Sequence, residues 1–306
     1  MNRTHFALVG TASLFLLMSL SSLVHASSST SYEIRSDTIG TGGDDTSSSA
    51  SYILRDSVSV NGSGASSSSS YNMDAGYRQK IFDEFANFTV YVQDRSSQVA
   101  ATNLTSNTVT VTDASGFSSD EYIVVIQNEG AAQVSAIGKI ASIAVNDITV
   151  DFWTTSGSTP VIDGSDDVVY SLESSSIALG TLSELVVTTG IVAWEVNVDN
   201  DEGYNVYVLE DDNLNNGSGD ILTDVTDGGV SAGSTEYGGR SSDSSLSATA
   251  FDTQDEAFTS IAKQVGSRTD GELKSRDFLT VKAAVDVGQA GGTYSHTLTL
   301  LYVGDY

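Results

Sequence analysis

The residues whose types and spacing could do chemistry are carboxylates grouped around one predicted hairpin. Asp199, Asp201 and Glu202 stand in a short turn, and Asp211 and Asp212 follow at the far end of the next predicted strand. Hard cations such as Ca²⁺ take six to eight oxygen ligands, which acidic turns can supply. Calcium is therefore the one candidate cofactor, with these five residues as its ligands. The turn departs from the EF-hand loop pattern, however, and a plain solvated hairpin is the favoured alternative.

A single histidine follows the predicted leader, and a Ser-His-Asp hydrolase would depend on it. His296 stands between Ser295 and Thr297 in the last predicted strand, and we place it on an exposed face opposite the leucines. Zinc sites need three or four His, Cys or carboxylate ligands, and the chain has no cysteine. No glycine-rich phosphate loop with its lysine is present either.

Paired carboxylates are abundant, so their number alone leaves glycosidase-type acid–base chemistry open. No aromatic-lined cleft accompanies them in the sequence. We therefore expect no catalytic residues and predict that the protein is not an enzyme.

The charge of the chain is strongly acidic. Its 306 residues include 13 Lys and Arg against 40 Asp and Glu, for a formal net charge of -27. No basic residue lies between Lys139 and Arg240. Such a surface repels phosphate backbones, which argues against nucleic acid and anionic membrane as partners. A surface protein, a cell wall or a glycan is the kind of partner that remains.

The first segment, 1–26, has the features of a secretory signal peptide. Arg3 supplies the positive start, an apolar run covers 6–20, and Val24-His25-Ala26 is a small-residue cleavage site. The apolar run is shorter than the about 20 residues of a membrane span. We expect cleavage after Ala26, a secreted or cell-surface protein, and no membrane span in the mature chain.

Residues 27–80 form a Ser/Gly-rich repeat segment. Three alternating Ser-Tyr-x-apolar cores follow serine-rich runs, with tyrosines at Tyr32, Tyr52 and Tyr71. Ser/Gly runs make flexible linkers, whereas the cores suit short strands. The segment is predicted to be a stalk, either disordered or with its strands docked on the main body. With its closing Ala75-Gly76-Tyr77 it resembles a Ser-Tyr-x-Leu repeat of exported proteins from uncultured bacteria, which implies export and surface display.

Two strand-rich regions follow the repeats. Residues 81–102 are expected to hold the first strand of the main body, at 85–92. Short strands separated by Gly, Asn and Asp turns at roughly ten-residue spacing then fill 103–166, a pattern typical of a small barrel. We predict that this barrel is inserted into the main body and can be removed without unfolding it.

Residues 167–306 are predicted to form a β-sandwich domain. A strand ends at 177–180, and 191–198 places Val192, Trp194, Val196 and Val198 on one face at period two. Another strand covers 204–209, and 278–285 and 294–303 close the chain. A Thr-x-x-Glu capping box and apolar residues at helical spacing predict one short helix at 253–265, stopped by Gly266.

This last region resembles the surface β-sandwiches of the WxL and spore-coat-U type. The likeness rests on 176–182, on Asn200 with Gly203-Tyr204, and on 290–299. It implies a surface sandwich without chemistry of its own. The chain lacks the Trp-x-Leu tripeptides of WxL proteins, because Trp153 and Trp194 are followed by Thr and Glu. It also lacks the cysteines common in spore-coat-U-like domains.

Together these patterns predict an all-β protein: an antiparallel β-sandwich with an inserted small β-barrel-like module, one short helix and a low-complexity repeat segment at the N-terminus. The predicted function is a non-catalytic structural or adhesive protein of the cell surface. A carbohydrate-binding module is one alternative, with an aromatic platform drawn from Tyr204, Tyr207, Trp153 and Tyr237. A subunit of an extracellular fibre assembled by strand exchange is the other, and an unpaired sheet edge would be its sign.

Overall fold

The computed structural model describes residues 86–200 and 202–305, together with the backbone of six short strands between residues 28 and 75. The chain divides into two compact units, Met1–Asp83 and Glu84–Tyr306. The predicted leader at 1–26 lies outside the described residues. Within the described parts, no helix is long and apolar enough to cross a membrane.

The described strands of the first unit form three antiparallel two-stranded ribbons. They are β1 (Ser28–Ser29) with β2 (Tyr32–Glu33), β3 (Gly43–Ser49) with β4 (Tyr52–Ser57), and β5 (Gly64–Ser67) with β6 (Asn72–Ala75). The second strand of each ribbon begins at, or one residue after, a repeat tyrosine. The alternating repeat cores therefore form strands, paired with the Ser/Gly-rich residues before them.

The second unit begins with β7 (Ala86–Val92) and a single 3-10 turn at Arg95–Ser97, and a closed barrel follows them. Six antiparallel strands pair in the order β10-β14-β8-β9-β12-β11, and β10 also pairs with β11, which closes the ring. The strands are β8 (Val99–Thr105), β9 (Thr108–Val111), β10 (Tyr122–Gln127), β11 (Val134–Ala144), β12 (Asp147–Val150) and β14 (Asp167–Ser171); β13 (Thr154–Thr155) is appended to β11.

Alternating side chains fill the barrel. Val109, Ile123, Ile140, Ile148 and Val169 are among its fully or almost fully buried residues. The ring of strands runs from residue 99 to residue 171. The predicted segment 103–166 lies within that ring, and β8 and β14 extend it on both sides.

A sandwich of two antiparallel sheets forms the rest of the unit. One sheet has the order β17-β19-β15-β7, with β15 (Thr188–Val198), β17 (Glu236–Ser241) and β19 (Ser275–Ala284). The other has the order β18-β16-β20, with β16 (Tyr204–Glu210), β18 (Lys263–Arg268) and β20 (Leu298–Gly304). The predicted inward face of β15 is confirmed, since Val192, Trp194, Val196 and Val198 all lie in the core between the sheets.

The predicted helix at 253–265 is wrong, and the described residues contain no α-helix. The residues of the capping box serve a turn instead: Glu256 accepts the Ala250 amide at 2.7 Å, and its backbone bridges to Gly239 on β17. Lys263–Arg268 pairs with β16 as β18. Pairing with a neighbouring strand therefore overrides the local helical spacing. Gly266, the predicted stop, lies inside β18, where a Cβ would approach the Trp194 ring to 3.0 Å.

Barrel and sandwich share an apolar interface. Tyr122, Val124 and Ile126 on β10 pack with Ile191 on β15 and Phe278 on β19 in one buried cluster. The barrel thus covers the outer face of the larger sheet. Its removal would expose that face, so the structure argues against a barrel that can be deleted without consequence.

A buried arginine joins the two parts by charge. The Arg276 side chain on β19 is 0% exposed and donates two 2.7 Å hydrogen bonds to Asp151 of the barrel. Its Nε donates a third, also 2.7 Å, to Glu195. Burial acts to raise the pKa of Asp151, but the hydrogen bonds from Arg276 prevail and hold it below its ordinary value. The ion pair is therefore charged on both sides at neutral pH.

Candidate functional site

The sandwich is closed along one side and open along the other. On the closed side, residues between β16 and β18 bridge to β17 through Asp224 and Glu256. On the open side, the described residues supply no strand beyond β7 in one sheet and β20 in the other. Phe88 of β7 stacks on Tyr302 of β20, with ring centroids 5.8 Å apart. We call the opening between β7 and β20 the groove.

Backbone groups of both edge strands point into the groove. On β7, the Gln93 amide that follows the strand donates to Ile191 of β15. Because these directions alternate in an antiparallel ladder, the amides and carbonyls of Phe88 and Val90 face away from β15. On β20, the same alternation turns those of Leu298 and Leu300 away from β16. Such rows of edge groups are a template for another strand.

The groove opens into the apolar interior of the sandwich. Val90 lies on the inward face of β7, yet it is 38% exposed, because none of the described residues covers it at this point. Behind it is a cavity of about 1130 Å³. Its apolar lining comes from both sheets and includes Val92, Val192, Val208, Leu214, Leu279, Val281, Leu298 and Leu300. Lysine and arginine are missing from this lining, whose carboxylates are Glu184 and Asp286.

Residues 174–182, which we call the strap, lie over part of the cavity. Ile177, Leu179 and Leu182 pack against the core, and Arg95 donates a 2.8 Å hydrogen bond to the Ala178 carbonyl. The predicted strand ending at 177–180 is wrong: β14 ends at Ser171, β15 begins at Thr188, and no strand lies between them. Within the described part of the chain, the one ladder contact of the strap is a 3.0 Å bond from the Ser174 amide to the Val92 carbonyl.

A polar cluster stands at the inner end of the cavity. Tyr237 on β17 and His296 line it, with the tyrosine oxygen 2.7 Å from His296 Nε2. His296 Nδ1 is 2.8 Å from the Asp212 carbonyl, which can only accept, so Nδ1 carries a hydrogen. Glu210 Oε2 lies 3.4 Å from the same nitrogen.

The predicted exposure of His296 is wrong, because its side chain is only 6% exposed. Residue 296 has the same parity as Leu298 and Leu300, so the three side chains share the inward face of the extended chain. Alternation could also have identified Glu210, which continues the buried series Tyr204, Val206 and Val208 on β16. The period-two pattern thus placed a carboxylate and an imidazole inside the sandwich.

Glu210 is the group of this cluster that titrates near neutrality. Burial raises its pKa to about 7, and the neighbouring carboxylates of Asp224 and Asp212 add to the rise. Burial also raises the pKa of Asp224. The cluster can therefore hold and release a proton, but the hydrogen bonds described for His296 go to Tyr237 and to a backbone carbonyl. Neither is the hydroxyl of a serine or threonine nucleophile.

The predicted calcium ligands fall into two separated groups. Asp199 and Glu202 precede β16, whereas Asp211 and Asp212 follow it, and seven strand residues extend about 20 Å. The structure therefore does not bring the groups together, and Asp201 lies outside the described residues. The Asp211 carboxylate accepts the Thr297 amide at 2.8 Å, which lowers its pKa. Within the described residues no group of three or more His, Asp or Glu is arranged to hold a metal.

The four candidate platform aromatics do not form one exposed row. Tyr204 and Tyr237 are buried in the sandwich core, at 0% and 2% exposure. Trp153 packs against the barrel core, and Tyr207 is half-buried on β16. A flat sugar-stacking surface therefore finds no support in these residues.

Comparison with known protein families, with curated proteins and with solved structures gave no match.

Proposed function

We propose that this chain is a non-catalytic, secreted structural protein that assembles by accepting an extended segment in the groove of its sandwich. The observation that carries the proposal is Val90, an inward-facing apolar residue left 38% exposed between two sheet edges. Of the functions considered from the sequence, this favours the fibre subunit assembled by strand exchange. Secretion rests on the predicted leader, and a cell-wall or glycan partner stays a prediction.

The groove supplies both components of strand addition. Edge amides and carbonyls at Val90 and Leu300 would give main-chain hydrogen bonds, and the cavity would take alternate apolar side chains. Burying one Val or Leu side chain contributes about 1.5–3 kcal/mol. Two such side chains would contribute about 3–6 kcal/mol, and the hydrogen bonds of the new ladder would add to this.

The acidic charge fits the same role. A net charge of -27 keeps separate copies apart in solution, while the groove offers an apolar patch with few charges of its own. Association is therefore directed to the groove instead of occurring at random over the surface.

The test is the assembly state of the secreted chain with a charge placed in the groove. In Val90→Lys the ammonium reaches out through the opening of the free chain and stands in the path of an entering strand. Thr89→Lys adds the same charge on the opposite face of β7. Sedimentation velocity over a concentration series should show oligomers for the wild type and for Thr89→Lys, and monomers for Val90→Lys. A wild type that stays monomeric, or oligomers that tolerate Val90→Lys, would refute the proposal.

A further inference from the structure

We infer that the segment entering the groove is the strap of a second copy of this chain. The inference rests on the proposed function and names the partner of the same site. It follows from the pattern of the strap, from the register that its own chain imposes, and from its charge.

The strap carries the pattern of a strand without belonging to a sheet. Ile177 and Leu179 are partly buried, whereas Ala178 and Gly180 are exposed, which is the period-two alternation of a strand with one apolar face. None of these four residues pairs with a strand of its own chain. The side-chain pattern is therefore present and the ladder is missing.

The connection to β7 explains why the ladder does not form within one chain. Ser174 pairs antiparallel with Val92, and continuing that register would place Ser176 opposite Val90 and Ala178 opposite Phe88. Residues opposite each other share a face of the sheet. Serine and alanine would then point into the cavity, and Ile177 and Leu179 would point away from it.

A shift by one residue would correct this, because it moves every side chain to the other face. The bond from Ser174 to Val92 holds the strap of the same chain out of that register. A strap from a second copy is not tied to this Val92. It can form a ladder and still direct Ile177 and Leu179 into the cavity, whereas the single chain packs these two side chains against its core without a ladder.

The charge of the strap suits this exchange. Residues 174–183 contain no charged side chain, although the chain as a whole carries -27. An uncharged, apolar-alternating segment can approach a second acidic copy with little local repulsion. Low charge and alternating apolar residues are also the composition that favours pairing between strands of different chains.

A reversible disulfide between the strap and β15 tests the inference. The chain has no cysteine, and a Cβ at Gly190 on β15 would lie 2.6 Å from Ile177 Cγ2, so cysteines at the two positions are within reach of a disulfide. In the double variant Ile177→Cys/Gly190→Cys, oxidation should hold each strap over the cavity of its own chain. We expect at least a tenfold loss of the oligomeric fraction in the oxidised protein and recovery on reduction. Oligomers that form equally in both states would overturn the inference.

Complementation supplies a second test, with donor and acceptor disabled in different molecules. Ile177→Ser/Leu179→Ser lacks the apolar side chains of the strap, and Val90→Lys blocks the groove. Each should be monomeric alone, and a mixture should form a one-to-one heterodimer and nothing larger. If the strap variant assembles by itself, the strap is not the donor.

The groove and its proposed occupant are tested by different outcomes. Oligomers that vanish with Val90→Lys but ignore the disulfide would keep the groove and reject the strap as its occupant. Oligomers that ignore Val90→Lys would reject the proposed function itself.

Discussion

Replacement of Arg276 by methionine removes the ion pair that connects the barrel to the sandwich. The substitution keeps an apolar stem of similar length and, among the described residues, removes the one cation that faces Asp151 and Glu195 together. It leaves two carboxylates in a place where the guanidinium is 0% exposed. The resulting change in the free energy of unfolding shows how strongly the folded state depends on that one charge.

The magnitude follows from the geometry. Arg276 makes three hydrogen bonds of 2.7 Å to carboxylates, and its guanidinium lies 4.2 Å from the centre of the Phe152 ring. Removing one partner of a buried ion pair costs about 3–5 kcal/mol, because the other charge is left unpaired. For a unit of this size each kcal/mol lowers Tm by about 2–4 °C. We therefore expect Arg276→Met to lower Tm by roughly 6–20 °C.

Differential scanning calorimetry at pH 7 measures the effect, with Arg240→Met as the matched control. Arg240 is exposed and has one long contact, 3.4 Å to the Asp252 carbonyl, so its loss should change the free energy of unfolding by less than about 0.5 kcal/mol. Adding Asp151→Asn to Arg276→Met should recover part of the loss by removing one orphaned charge. Equal Tm shifts in Arg276→Met and Arg240→Met would refute the role assigned to this ion pair. So would a loss in the free energy of unfolding of less than about 1 kcal/mol for Arg276→Met.

Three further predictions concern pH, a backbone contact and calcium. Burial raises the pKa of Glu210 and of Asp277 to about 7, so the folded state binds these protons more tightly than the unfolded state. The free energy of unfolding should therefore fall as pH rises from about 4 to 7. In urea titrations at matched ionic strength, the midpoint of Glu210→Gln should fall less over this pH range than that of the wild type. Gly203→Ala should destabilise by more than about 2 kcal/mol in the same urea titration, since φ is +83° and a Cβ would meet a backbone carbonyl at 2.0 Å. Because β16 separates Asp199 and Glu202 from Asp211 and Asp212, millimolar calcium should raise the unfolding midpoint no more than sodium at equal ionic strength; a larger rise with calcium, removed by Asp199→Asn/Asp201→Asn, would restore the calcium site.

The sequence predicted correctly the features that depend on the alternation of residues within a single strand. The alternation in 191–198 correctly predicted the face of Trp194, and the acidic turn correctly separated β15 from β16. The short-strand pattern predicted the all-β class and a barrel-like module, because every barrel strand fills its interior with its own alternate residues. These features depend on neighbours along the chain.

Features that depend on distant residues were not predicted. The segment 253–265 has helical spacing, but β16 is available as a partner, and Lys263–Arg268 joins it as a strand. Arg276 and Asp151 are 125 residues apart, and neither position has a pattern that points to the other. The groove is a property of two sheet edges from different parts of the chain, so no single stretch contains it.

The central claim, that the edges of the groove receive another strand, is tested most directly by amide hydrogen exchange of the secreted chain across a concentration series. The groove-facing amides of Val90 and Leu300 should exchange rapidly in the dilute monomer and become strongly protected as oligomers form. The amides of Tyr91 and Leu301, which face β15 and β16, should stay protected throughout. Oligomers in which Val90 and Leu300 continue to exchange as fast as in the monomer would contradict the account.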